Sequence, residues 1–267
     1  MKNVLLLVHA DVGQESRFQA ALDLTRAVKG HLLCVEVSMP QGLPDGLCTG
    51  MDNALAAETR YTVECDYSTA LKRRLEAEDV AWDWIDTTGR LPRSVVDEVG
   101  LADIVVSNLP ASHLFDPSLP RVTTNWRLAH NQPVLAVPVS SRGIDWGGRA
   151  LIAWDGSAAA MAALRSSVPV LALASDVELL EVDDRTSGAA AEAAAEYLFR
   201  YGIPSTVERI HSLTRPTAEL IMARAEEISA NYIVMGAYGH NRTRELFFGG
   251  VTRRMMQEST LPLVLAH

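Results

Sequence analysis

The chain repeats itself, and that repetition limits the folds open to it more than any other feature. "VLLLVHAD" (Val4 to Asp11) is echoed by "ALIAWDGS" (Ala150 to Ser157), each a short apolar run stopped by an aspartate. "ADIVVSNL" (Ala102 to Leu109) is echoed by "NYIVMGAY" (Asn231 to Tyr238), and "QPVLAVPV" (Gln132 to Val139) by "LPLVLAH" (Leu261 to His267). Ile104 and Pro133 lie 29 residues apart, as do Ile233 and Pro262, which sets the copies at an offset of 129. The aspartate-to-isoleucine gap is 93 residues in the first copy (Asp11 to Ile104) and 78 in the second (Asp155 to Ile233). The first copy therefore carries an insertion, most simply "SMPQGLPDGLCTGMDN", whose prolines and glycines mark loop. Of the 267 residues, each copy takes about half, enough to bury a core of its own. The expected division is 1–140, a linker at 141–148 within "SSRGIDWGG", and 149–267.

Within each copy apolar runs alternate with helical patterns. In the second copy "RALIAW", "DVELLEV", "STVERIH", "NYIVMGA" and "LPLVLA" are expected strands. Between them lie expected helices: "SAAAMAALRSSVPVLALA", capped by Ser157 and kinked by Pro169; "GAAAEAAAEYLFRYG", stopped by Gly202; "TAELIMARAEEIS"; and "GVTRRMMQES". Near-continuous apolar strands alternating with helices imply a parallel sheet covered on both faces. The expected fold class is α/β, with two tandem doubly wound, five-stranded, Rossmann-like domains.

A formal net charge of −9 argues against a general nucleic-acid binder, because neutralising phosphates takes a basic surface. No stretch approaches the roughly 18 to 20 apolar residues of a membrane span. The run in "MKNVLLLVHAD" is short, closes at Asp11 and is followed by no small-residue cleavage site, so a cytoplasmic location is expected. Cys34, Cys48 and Cys65 form no C-x-x-C pair, and Cys34 sits in the apolar "LLCVEV", where a buried free thiol is expected. The seven histidines show no ligand spacing, and no metal site is expected.

The stretch "GAYGHNRTRELFFGG" gathers Gly236, Gly239, Gly249 and Gly250 after the fourth strand of the second copy. In an open parallel sheet, ligands sit beyond the carboxyl ends of the strands where strand order reverses. Gly249 and Gly250 open the last helix, whose unpaired N–H groups favour an anion. Arg242, Arg244, Arg253 and Arg254 lie around the stretch, His240 lies inside it, and Asp155 faces the same crevice from the end of the first strand. There is no P-loop and no G-x-G-x-x-G. By the residues alone, a phosphate cradle and a structural turn both stay open. Ser157 is expected to cap a helix, since no G-x-S-x-G elbow or acid–base partner accompanies it. Asp183 and Asp184 are expected in a turn, and Phe247 and Phe248 in the packing under the loop.

With these residues the second half resembles a universal stress protein domain, and the whole chain the tandem form of that family. The resemblance rests on "WDGS", on "IVMGAYG" and on the family's nucleotide pattern G-x2-G-x9-G-[ST], present as Gly236, Gly239 and Gly249 followed by Gly250. It implies a stress-response or regulatory protein binding an adenine nucleotide, ATP or its products ADP and AMP, with or without Mg2+. Asp155 would lie near the adenosine and the backbone at Val182 near the adenine. Gly236, Gly239 and the backbone of Gly249, Gly250 and Val251 would hold the phosphates. The family's Ser or Thr is Gly250 here, leaving Thr252 as a substitute hydroxyl. The resemblance also implies that the last strands of the two halves pair as an internal pseudo-dimer, and it leaves a homodimer of chains open.

At the offset of 129, Gly236, Gly239, Gly249 and Gly250 fall on Ser107, Pro110, Pro120 and Arg121, so the first copy is expected to be degenerate and to contribute packing or an interaction surface. No general base is evident, so at most slow ATP hydrolysis is expected. A ligand-independent scaffold for a protein partner is the competing reading, and a sensor of some other small anion is the third.

Overall fold

The computed structural model describes residues 1–8, 10–38, 67–88, 100–109, 132–183, 190–211, 214–237 and 250–267. In the first half these form β1 (Asn3–Val8), α1 (Gln14–Val28), β2 (His31–Ser38), a helical stretch α2 over 67–77, β3 (Ala81–Thr88), β4 (Ile104–Leu109) and β5 (Val134–Pro138). The second half forms β6 (Arg149–Trp154), α3 (Ala158–Leu171), β7 (Asp176–Asp183), α4 (Ala191–Phe199) and β8 (Thr206–His211). It continues through α5 (Thr217–Glu227), β9 (Tyr232–Gly236), α6 (Gly250–Glu258) and β10 (Leu263–Ala266).

The strands make one ten-stranded sheet in the order β3-β2-β1-β4-β5-β10-β9-β6-β7-β8. From the outer edges inward the two halves share one order, and every pairing within a half is parallel. They meet at an antiparallel seam, Leu263 opposite Ala136, Val264 opposite Leu135 and Leu265 opposite Val134. The fold is the expected α/β one, with two doubly wound units in tandem. Central strands carry apolar residues on both faces: β5 and β10 are buried throughout, whereas the edge strand β8, "TVERIH", has no fully buried residue.

Because side chains alternate along a strand, each face gathers its own core. On one face Leu6, Val106 and Leu135 pack with Phe18 and Leu22 of α1, and the same cluster runs on through Ile152, Val234 and Val264 to Leu164 of α3. On the other, Leu151, Ile233, Met235 and Leu265 pack with Leu220 and Ile221 of α5 and Met255 and Met256 of α6. Cys34 is the buried free thiol expected, and burial pushes its pKa up to about 12. Ser157 caps α3, its hydroxyl accepting the Ala160 N–H at 3.1 Å, and the helix runs on past Pro169 for two residues. Gly202, at φ +75°, lies just beyond the end of α4.

The stretch 141–148, expected to link the two copies, packs on the fold: Ile144 and Trp146 are buried in the core, the ring of Trp146 4.8 Å from that of Tyr232. The Asp23 carboxylate of α1 accepts the Ile144 N–H at 2.9 Å. The alignment of the copies also shifts. The Val105 N–H donates to the Pro133 carbonyl and the Ile233 N–H to that of Pro262, so Val105, not Ile104, corresponds to Ile233. The offset at the fourth strand is thus 128, because the first copy runs one residue shorter between these landmarks. For the first helix it is 146: buried positions 14, 17, 18, 21, 24 and 25 of α1 fall on buried positions 160, 163, 164, 167, 170 and 171 of α3. Asp11 therefore matches Ser157 rather than Asp155, and Gly236 matches Asn108 rather than Ser107.

Candidate functional site

In the second half, strand order reverses between β6 and β9, which lie side by side with Ala150 opposite Tyr232 and Ala153 opposite Met235. The crevice beyond their carboxyl ends is where a ligand of this topology sits. Its β6 wall is a tight turn. The Asp155 carboxylate accepts the Ser157 N–H at 2.9 Å, Gly156 between them takes φ +69°, and Ser157 caps α3. Asp155 is exposed, so its carboxylate stays accessible to solvent while holding the turn.

Gly236 ends β9 directly under the start of α3. A Cβ there would lie 2.6 Å from the backbone nitrogen of Ala160 and 2.8 Å from the carbonyl carbon of Ala159. The glycine lets the helix start approach the strand end, a packing duty that sequence spacing alone does not reveal. Gly250 is exposed at the start of α6, and a Cβ there would meet nothing within 4 Å. Val251 is half-buried and Thr252 buried on the same first turn. Arg254 is engaged elsewhere, at 2.7 Å from Glu219 of α5 and 3.0 Å from Glu258, and these carboxylates raise its pKa. Val182 is buried near the end of β7. Gly239, His240, Arg242 and Gly249 of the expected site, and with them Arg244, Phe247, Phe248 and Asp184, lie outside the described residues.

The corresponding crevice of the first half, between β1 and β4, is filled by the chain itself. Arg17 is buried and donates to Asp11 at 3.0 Å, to Gln14 at 2.7 Å and to the side-chain oxygen of Asn108. The Asn108 amide donates to the Ser16 hydroxyl at 2.8 Å and the Val137 carbonyl at 3.3 Å. At matching positions the second half has Ala160 for Gln14, Ala162 for Ser16, Ala163 for Arg17 and Gly236 for Asn108. The close approach of helix start to strand end is solved in opposite senses. The first copy puts the glycine on the helix side, Gly13 against Asn108; the second puts it on the strand, Gly236 against Ala159 and Ala160. Sequence reasoning missed Arg17 and Asn108. The signal was there, since Gln14 and Arg17 fall on the helical spacing of Phe18, Ala21, Leu24 and Val28, where an apolar residue belongs.

Residues 167–267 match the model of the universal stress protein family. The C-terminal half carries a universal stress protein domain. The family match starts inside α3, so β6 and Asp155 stand before it. A universal stress protein from Archaeoglobus fulgidus DSM 4304 aligns over 99% of this chain and 95% of its own, with a TM-score of 0.71 and 16% identity. A functionally unknown protein from Pseudomonas aeruginosa PAO1 aligns over 99% and 92%, with a TM-score of 0.57 and 14% identity. Both extend the likeness of fold from the universal stress protein domain to the whole chain. No curated protein sequence matches it. Among the described residues, no three His, Cys, Asp or Glu side chains gather as metal ligands, and no helix is long and apolar enough to cross a membrane.

Proposed function

We propose that the universal stress protein domain binds one adenine nucleotide, ATP or a product of it, and that the protein acts as a stress-response regulator in the cytoplasm. The observation that carries this reading is the contrast between the two crevices. Where the first copy fills the strand-reversal point with Gln14, Arg17 and Asn108, the second has alanines and Gly236. Small residues there keep the side chains that α3 turns toward the crevice between Asp155 and the start of α6 short. The Asp155 carboxylate is suited to a ribose hydroxyl, and the backbone beside Val182 to an adenine edge. The N–H groups of Gly250, Val251 and Thr252, which have no partner within the helix at its first turn, are suited to phosphate oxygens, with or without Mg2+. Gly239, Gly249, His240 and Arg242 complete the proposed cradle. The proposed role is one of binding, with at most slow hydrolysis of ATP.

The test is direct. The protein is purified without added nucleotide and denatured, and any released small molecule is identified by chromatography and mass, wild type beside Gly239→Val. Wild type is expected to release close to one adenine nucleotide per chain and the variant none. Empty wild type that also shows no thermal shift in millimolar ATP and magnesium would sink the reading.

One observation favours a partner-binding role instead. Phe199, the last residue of α4, and Tyr201 just beyond it are 72% and 56% exposed, where the matching positions after Leu75 in the first copy are Glu76 and Glu78. A Phe199→Glu/Tyr201→Glu variant that loses a co-purifying protein while keeping its nucleotide content would support that second role.

A further inference from the structure

The two copies differ in how the helix before the third strand ends. In the second copy α4 closes in "EYLFRYG", where Tyr197 and Tyr201 stand four residues apart, so their side chains meet on one side of the turn. Their ring centres lie 5.1 Å apart with the planes tilted by 49°, and the Tyr197 hydroxyl donates to that of Tyr201 at 3.4 Å. The hydroxyls are closer than the ring centres, so the two rings converge toward their hydroxyl ends. The first copy has Arg74 and Glu78 at the matching positions.

The backbone holds the pair in place from beneath. The Tyr201 N–H donates to the Leu198 carbonyl at 2.9 Å, the Ile203 N–H donates to the same carbonyl at 3.1 Å, and Leu198 and Ile203 are both buried. Gly202 between them takes the positive φ that the turn requires. Above this anchor Tyr201 is exposed and Tyr197 half-buried, so a small solute reaches the pair. The other described tyrosines lie elsewhere, Tyr232 fully buried against Trp146 and Tyr67 half-buried in the first half.

We propose that Tyr197 and Tyr201 form an oxidative modification site, which one-electron oxidants couple into a dityrosine within one chain. Each phenol gives one electron to the oxidant and one proton to solvent, leaving a phenoxyl radical whose unpaired spin lies partly on the ring carbons beside the oxygen. A carbon–carbon bond forms between one such carbon of each ring. Each of these carbons then passes its hydrogen, as a proton, to the oxygen of its own ring, and both rings regain aromaticity. The protein loses two hydrogens in all, and the two electrons reduce, for instance, one persulfate to two sulfates. The product holds its oxygens side by side and its ring planes out of parallel, as the pair already stands. The new bond staples the last turn of α4 to the turn that leads into β8. No residue of the proposed nucleotide site takes part.

The experiment exposes the dilute full chain to light with a ruthenium tris-bipyridyl complex and persulfate, a small one-electron oxidant. Arg200 lies between the two tyrosines, so trypsin separates them in untreated protein into a peptide ending at Arg200 and one beginning at Tyr201. After oxidation the two should be found linked and lighter by two hydrogens, whether or not the bond after Arg200 is cut, with the blue fluorescence of dityrosine on that species. The oxidised chain should still run as a single chain on a denaturing gel. Tyr197→Phe and Tyr201→Phe keep the ring pair and lack one phenol, so each should remove the linked, fluorescent species, while Tyr67→Phe should leave its yield unchanged. Unfolding in urea before the light should lower the yield severalfold. Tyrosines left uncoupled, or coupled only between chains, would overturn the proposal. An equal yield in urea would overturn it too, because sequence spacing and not the folded turn would then bring the rings together.

Discussion

A single glycine separates what spacing can tell from what contact can tell. Gly236 belongs to a glycine pattern read as a phosphate cradle, yet its Cβ position faces the backbone of Ala159 and Ala160. Gly236→Ala is expected to destabilise the fold by about 1 to 3 kcal/mol, since a helix start cannot move aside as a flexible side chain can. Urea unfolding measures it, and an unchanged midpoint would show that the helix gives way freely. Gly250 is the opposite case: it is exposed and a Cβ there meets nothing, so a serine fits. Gly250→Ser would restore a hydroxyl where the family pattern has one. A hydrogen bond to a charged phosphate contributes about 1.5 to 3 kcal/mol, so nucleotide should bind at least tenfold more tightly. Calorimetric titration of wild type and variant decides it, and equal affinities would remove the phosphate from that position. The Asp11–Arg17 pair adds a third contrast. Arg17 is buried and Asp11 partly so. Asp11→Ala, which takes the Asp11 carboxylate away from a buried guanidinium, should cost more stability than Arg17→Met, which removes that charge while keeping its bulk, as chemical denaturation of the two variants would show.

At the scale of elements, the sequence was legible where burial enforces a period and illegible where partners lie far apart. The five strands and the helices expected in the second half are present, because continuous apolar runs and the 3.6-residue spacing leave little choice. Register was not legible: an equal spacing of 29 aligned Ile104 with Ile233, while the ladder aligns Val105 with Ile233. Apolar strands of Ile and Val read alike after a shift of one, and only the hydrogen bonds separate the choices. The Arg17–Asn108 contact was hidden for another reason, its partners being 91 residues apart. The connector after β5, expected as a linker at 141–148, packs its tryptophan on Tyr232. Trp146→Ala should therefore cost about 3 to 5 kcal/mol, as for a core residue. The Trp146 ring N–H finds no acceptor among the described residues. Trp146→Phe gives up no hydrogen bond there and should cost much less than the alanine variant. Chemical denaturation of the pair tests this: equal losses would mean that ring packing is not what holds the connector.

The whole molecule is one sheet because the two halves share its centre. β5 and β10 are fully buried strands of five and four residues, and each covers the apolar edge of the other. Cutting the chain at the connector would leave both edges bare, and a bare apolar edge pairs with whatever strand is offered. The antiparallel seam fits that outcome, since antiparallel pairing is what two copies of one strand adopt about a two-fold axis. A fragment of residues 149–267 is therefore expected to dimerise through β10, with Val264 near the axis as it lies midway in the present pairing. Sedimentation of the fragment should give twice its chain mass, and Val264→Lys, which places a charge in the new seam, should return it to a monomer. The same fragment keeps Asp155, Gly236 and Gly250, so its nucleotide content per chain should equal that of the full protein. A fragment that stays monomeric and folded would show that the seam joins the halves only because the chain ties them together.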